Sequence, residues 1–247
     1  MLRAFYARHR AASMWSKAIV QDVAATLGMR FQIYFVHHQW AEHGSLGDAV
    51  TAQQPDFLML TNARPMDVDT LPESRGVHLF RDPRDMVVSA YFSHRNSHPI
   101  DVDGVRWTEL IRHRINLLKM DKEAGMAAEV EFSSYFLDHM LSWNYDAPNV
   151  LPVRMEDLVS DSAGQWRRML AHWQVLDLLP DGYVDELLRT RSFEQMAGGT
   201  RKIGEEDEKS HYRKGVAGDW RNHLTEDHLK LFRKRYGDLV ERLGYDW

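Results

Sequence analysis

The chain has 247 residues, 44% of them hydrophobic, and a formal net charge of -5 at pH 7; this fits one domain with a sizeable core and argues against wholesale nucleic-acid binding, which needs a basic face. The absence of cysteine excludes disulfides, thiolate catalysis and cysteine-based zinc sites. No apolar stretch approaches the roughly 20 residues of a membrane span, and residues 1–8 lack the apolar run of a signal peptide, so a single cytoplasmic domain over 1–247 is expected.

Short apolar runs alternate with helical patterns, which argues for βαβ units around a parallel sheet. The first strand reads 2–7. A helix follows from about Met14, with Trp15, Ile19, Val20, Val23 and Leu27 on one face and Gly28 as its stop. Further strands read 31–36, 57–60 and 77–80. The next helix starts near Pro83, a favoured first-turn residue. Leu110, Ile111, Arg114, Ile115 and Leu118 mark another helix, and 129–143 a further one. A fifth strand at 150–154 follows the turn signal Ala147-Pro148-Asn149. The last helix runs from Thr225, where Thr225-Glu226-Asp227-His228 offers capping chemistry, to about Leu243. The fold class expected is α/β, a central parallel sheet flanked by helices. Only 197–218, rich in glycine and charge, reads as a long loop. Such a loop inside a compact domain is either disordered or functional.

Three segments suit anions. Arg10-Ala11-Ala12-Ser13-Met14-Trp15 joins the first strand to a helix. A helix N-terminus offers unpaired N–H groups and the positive end of a dipole, and small residues at 11 and 12 let backbone approach a phosphate. The GxxxxGK[ST] pattern of a nucleotide kinase is absent. In Phe80-Arg81-Asp82-Pro83-Arg84-Asp85, Arg81 sits where a strand's carboxyl end meets a helix, and Ser89 lies about two turns on. In Arg213-Lys214-Gly215-Val216-Ala217-Gly218 two cations precede glycines that let N–H groups curl round an anion.

Together these segments resemble the cytosolic-type sulfotransferases that use phosphoadenosine-phosphosulfate. Residues 213–225 match that family's R-K-G-x-x-G-D-W-K/R-N-x-x-T signature at every fixed place. Arg81-Asp82-Pro83-Arg84-Asp85 with Val88 and Ser89, Ser192-Phe193 with Met196, and Glu156-Asp157-Leu158 are similar to its other segments, in the same order. The resemblance implies a P-loop-like, three-layer fold and sulfuryl transfer from 3′-phosphoadenosine-5′-phosphosulfate to a small-molecule or glycan acceptor, without a metal. It implies that Arg10, Ala11, Ala12, Ser13 and Met14 hold the phosphosulfate, with Trp15 against adenine. Arg81, Ser89, Arg213, Lys214 and Gly215 would hold the 3′-phosphate, and Ser192 and Phe193 would border the adenine.

The chain departs from the pattern where chemistry matters. Arg10 stands for the usual lysine, Met14 for a threonine, and Met155 for an adenine-stacking tyrosine. The usual histidine of a K-T-H triplet is replaced in Leu60-Thr61-Asn62. Asn62 cannot act as a base, though it can orient a reactant. His38 and Glu42, in the tract His37-His38-Gln39-Trp40-Ala41-Glu42-His43, are the candidates for that role. If extended, His37 and His38 face opposite ways, which disfavours a metal site there. The alternatives are a non-catalytic nucleotide binder on a degenerate fold and, further off, a P-loop kinase.

Overall fold

A computed structural model describes residues 1–199, 201–210 and 212–247. The strands are β1 (Leu2–Ala7), β2 (Phe31–Tyr34), β3 (Phe57–Thr61), β4 (Ser74–Phe80), β5 (Asp101–Val102), β6 (Val105–Arg106) and β7 (Val150–Arg154). The chain forms two compact units, one of Met1–Phe80 with Trp143–Met196, the other of Arg81–Ser142 with Ala197–Trp247.

The first unit holds a five-stranded sheet in the order β2-β3-β1-β4-β7. All four pairings are parallel, with Tyr6 of β1 opposite Leu60 of β3 and His78 of β4. A central parallel strand is covered on both faces and so reads as an unbroken apolar run. Phe5, Ala7, Phe57, Met59, Val77 and Leu79 face one way. They pack on Ile19, Val20 and Val23 of helix Ser13–Thr26 and on Trp166, Met169 and Leu170 of helix Ser162–His172. Ala4, Tyr6, Leu58 and Leu60 face the other way, onto Trp40, Trp143 and the Leu46, Ala49 and Val50 side of helix Leu46–Gln53. The expected α/β arrangement of helices on both sides of a parallel sheet is therefore found. Gly76 is required inside β4, because a Cβ there would lie 2.6 Å from the Tyr6 ring.

Boundaries differ where polar residues interrupt the pattern. β4 begins at Ser74 rather than Val77, since pairing with β1 carries Ser74-Arg75-Gly76 into the sheet. β2 stops at Tyr34, before the 3-10 helix His37–His43. His37 and His38 thus lie in a helical turn, not an extended one. The helix expected over 129–143 is two, Lys122–Phe132 and Ser134–Leu141, because the chain tightens at Ser133 with Phe136 N–H donating to Ser133 O at 3.0 Å. The last helix is also two, Glu226–Tyr236 and Leu239–Arg242, parted by Gly237 at φ 56°. Its capping start is as expected, with Thr225 N–H donating to His228 Nδ1 at 3.0 Å. Among the described residues no helix is long and apolar enough to cross a membrane.

The second unit is helical apart from the short antiparallel pair of β5 and β6. Its core joins Val88, Tyr91 and Phe92 of helix Pro83–Asn96 to Leu117, Met126, Trp220 and Leu224. A buried carboxylate lies within it. Glu129 Oε1 pairs with His94 Nδ1 at 2.9 Å and accepts from Ser133 Oγ at 2.7 Å, and Oε2 pairs with His113 Nε2 at 2.8 Å. Burial alone would raise this carboxyl, but the charge of His94 and hydrogen bonds from both histidines outweigh it and lower it. A group lowered in the folded state contributes stability that is complete above the ordinary glutamate range. That stability is lost as pH falls through the folded value. Glu129→Ala should cost about 3–5 kcal/mol, the range for breaking a buried ion pair, and should flatten the acid limb of stability against pH in urea unfolding.

Candidate functional site

In the first unit the chain leaves β1 into a turn that alanines shape. Arg10 and Ala12 both take left-handed backbone, at φ 59° and 53°. Each costs a non-glycine residue of the order of 1 kcal/mol. Ala12 is the N-cap of helix Ser13–Thr26 and has no side-chain oxygen to offer. The first intrahelical donor is Ser16 N–H, to Ala12 O at 3.0 Å. The amides of Ser13, Met14 and Trp15 precede it, at the positive end of a 14-residue helix. Trp15 Nε1 donates to Arg191 O at 2.7 Å, which sets its indole beside the segment that continues into Ser192 and Phe193.

Asn62 also takes left-handed backbone, at φ 60°, and its N–H donates to Ala7 O at 2.9 Å. This bond joins the carboxyl ends of β1 and β3. The Asn62 Oδ1 atom is buried and has no hydrogen-bond partner. His38 Nε2 is buried and unpartnered too, whereas the Glu42 side chain is 84% exposed, 3.7 Å from His43.

Arg8 and His78 escaped the sequence reading. Arg8 is buried; its Nε donates to His78 Nε2 at 2.7 Å, its Nη1 donates to Ala63 O, and its guanidinium lies 4.4 Å from the Trp143 ring. Burial pulls the Arg8 guanidinium down to about 10. Burial, and then the Arg8 charge, pushes His78 well below its ordinary value, so the ring is neutral. A polar residue inside an apolar central strand was the available signal.

In the second unit two of these segments, those of Arg81 and Arg213, meet around Asp85, in the first turn of helix Pro83–Asn96. Its carboxylate accepts from Gly218 N–H at 2.6 Å and Trp220 N–H at 2.8 Å. Arg81 donates to Val216 O at 3.4 Å and lies 3.6 Å from Asp85. Ser89 is buried on the same helix. Arg213 Nη2 donates to Asp219 at 2.5 Å and Lys214 Nζ at 2.7 Å, while Asn222 Nδ2 donates at 2.9 Å. Burial would raise Asp219, but these bonds hold it far below the usual carboxylate range. Arg213 also pairs with Glu206 and lies 4.7 Å from the Phe92 ring. Gly215 is left-handed at φ 71°, as a curled anion loop needs. Arg81, Arg213, Lys214 and Gly215 are thus gathered by hydrogen bonds to one loop.

The first unit is a parallel α/β fold, and the second carries a loop whose cations are held around a left-handed glycine. The sulfotransferase domain profile matches residues 61–244, and the chain belongs to that family. The match takes in the Arg81, Ser192 and Arg213 segments and begins after the Arg10 loop. Zebrafish sulfotransferase 6B1 is 28% identical over 68% of this chain and 54% of its own length. Human sulfotransferase 2A1 is 28% identical over 71% of this chain and 60% of its own length. The match therefore spans a little over half of these relatives. Mouse sulfotransferase SULT7A1, solved in complex with PAP, shares the fold with a TM-score of 0.59 and 16% identity, over 99% of this chain and 85% of that one. Retinol dehydratase, solved with retinol and PAP, gives a TM-score of 0.57 and 17% identity, over 99% and 83%.

Asp85→Ala should free two amides that one carboxylate now holds. Hydrogen exchange at Gly218 and Trp220 is expected to quicken by about tenfold, the scale of one charge-assisted hydrogen bond. Unchanged protection at both amides would show that the loop is held by other contacts.

Proposed function

We propose that this chain is a cytoplasmic sulfotransferase that moves a sulfuryl group from 3′-phosphoadenosine-5′-phosphosulfate to a hydroxyl or amine of a small-molecule or glycan acceptor. The observation that carries the reading is the loop of Arg213, Lys214 and Gly215, tied through Asp85 to the helix that holds Ser89 and to Arg81 just before it. Cations, a left-handed glycine and a buried serine suit a terminal phosphate. In this reading Arg81, Ser89, Arg213, Lys214 and Gly215 receive the 3′-phosphate, and Ser192, Phe193 and Trp15 border the adenine. The Arg10-Ala11-Ala12-Ser13-Met14 turn receives the phosphosulfate. The two units serve as one sulfotransferase domain.

The acceptor oxygen or nitrogen attacks sulfur in line as the bond from sulfur to the bridging phosphate oxygen breaks. Adenosine 3′,5′-bisphosphate (PAP) departs with the bonding pair. Arg10 and the amides at the start of helix Ser13–Thr26 offset the charge that grows on its 5′-phosphate. The acceptor proton goes to a base. We assign that base to His38, whose Nε2 is buried without a partner, over the exposed Glu42. Asn62 Oδ1, likewise unpartnered, orients the acceptor.

Sulfuryl transfer is tested by incubating the protein with the donor and an acceptor panel and following PAP release and the added sulfuryl mass. Binding of the donor with neither PAP release nor a modified acceptor would favour a degenerate binder. Arg213→Ala with Lys214→Ala should weaken PAP by about 10- to 100-fold, the scale of charge-assisted hydrogen bonds. Lys214→Ala alone, which leaves Asp219 paired with Arg213, should show part of that loss. Unchanged affinity by calorimetry in the double variant would remove the loop from the site. His38→Ala should cut turnover by about tenfold or more, with Glu42→Gln near wild type; the reverse result would move the base to Glu42.

A further inference from the structure

The Arg213–Lys214 cation pair carries two carboxylates of different character. Asp219 is wholly buried and takes hydrogen bonds from Arg213, Lys214 and Asn222, with His223 Nε2 at 3.1 Å. It belongs to the permanent frame of the loop. Glu206 comes from an exposed segment. Its Oε1 pairs with Arg213 Nη1, and its Oε2 lies 3.9 Å from Lys214 Nζ. Backbone pairing puts it there: Gly204 N–H donates to Lys214 O at 2.8 Å and Asp207 N–H to Arg213 O at 2.9 Å. The strand of chain that carries Glu206 is therefore laid against the cations it neutralises.

An incoming phosphate cannot share these cations with Glu206 without setting like charges side by side. A phosphate also brings more charge and more acceptor oxygens than a carboxylate, so it wins the arginine fork. We propose that Glu206 is an intramolecular competitor for the 3′-phosphate of the nucleotide. The phosphate displaces it on binding, and its return to Arg213 and Lys214 speeds nucleotide release. This rests on the 3′-phosphate assignment above. Glu206 then lowers the affinity for a 3′-phosphorylated nucleotide and is silent toward one that lacks that group. Release of product limits turnover in many enzymes, so a built-in counter-ion has a use.

The test titrates the full chain with two probes, PAP and adenosine 5′-monophosphate, and measures dissociation of PAP by stopped flow. Glu206→Gln should bind PAP about three- to fivefold more tightly, the scale of one partly exposed ion pair, with dissociation slowed by a similar factor. Its affinity for the monophosphate should match wild type. Glu206→Ala should behave as Glu206→Gln, which separates loss of charge from a new amide contact. The gain should shrink as salt is raised. If wild type prefers PAP over the monophosphate but neither variant binds PAP more tightly, the role of Glu206 is overturned. If wild type binds both probes equally, the 3′-phosphate assignment itself falls, and this inference with it.

Discussion

One carboxylate organises the second unit. Asp85 sits in the first turn of helix Pro83–Asn96, where the helix dipole favours an anion, and takes the amides of Gly218 and Trp220 from far along the chain. Those bonds tie the end of the charged segment to the helix, while Gly204 N–H to Lys214 O and Asp207 N–H to Arg213 O pair its interior. With them, Trp220 enters the core beside Phe92 and Leu224, and Arg213 and Lys214 stand at a fixed place in the loop. The side chain that fixes the loop is also 3.6 Å from Arg81, so the helix and the loop present their cations from one frame.

That frame keeps its buried charges paired. Arg84, almost fully buried, is held bidentately by Asp82 at 3.0 and 2.7 Å and lies 4.0 Å from the Trp220 ring. Glu129 has two histidines, and Asp219 has two cations. Breaking any of these would leave an uncompensated charge in a low-dielectric interior, which costs more than the pair contributes. Cations held this way are pre-positioned, so less side-chain entropy is lost when an anion arrives. The consequence is that an anion must compete with carboxylates already present. Among those on Arg213, Glu206 is the exposed one and Asp219 the buried one, and this difference decides which is exchangeable.

The fold was legible wherever burial made the pattern simple. β1 and β3 are covered on both faces, so their apolar runs stand out; Ser74 and Arg75 of β4 are not apolar and hid its first turn of chain. The long helix read over 129–143 failed because apolar spacing continues across Ser133 while the hydrogen bonding tightens there. The loop of Arg213, Lys214 and Gly215 was legible because its residues are contiguous and glycine-punctuated. Its supporting pair, Asp85 and Asp219, also lay inside the recognised segments, but acid residues beside cations carry no sign of which of them folds inward. Glu206 and Arg8 left no such trace, and His78 only that of a polar residue in an apolar strand. Their partners are set by backbone pairing or strand register, which bring together residues 7 to 70 positions apart.

The first unit solves its part of the problem differently. The turn after β1 offers amides and strained backbone in place of paired charges. Arg10 and Ala12 of that turn, and Asn62 after β3, hold left-handed conformations, and the first two lie just before the start of helix Ser13–Thr26. Strain of this kind persists only when the surroundings over-determine it. The surroundings here are the bond from Asn62 N–H to Ala7 O and the grip of Arg8 on Ala63 O, each tying the end of β1 to the end of β3. Glycine would relieve that strain but would also loosen the turn; alanine keeps the turn stiff and the backbone approachable. The proposed phosphosulfate turn thus depends on backbone conformation more than on its side chains, which is why Arg10 and Met14 can stand where the family pattern has lysine and threonine.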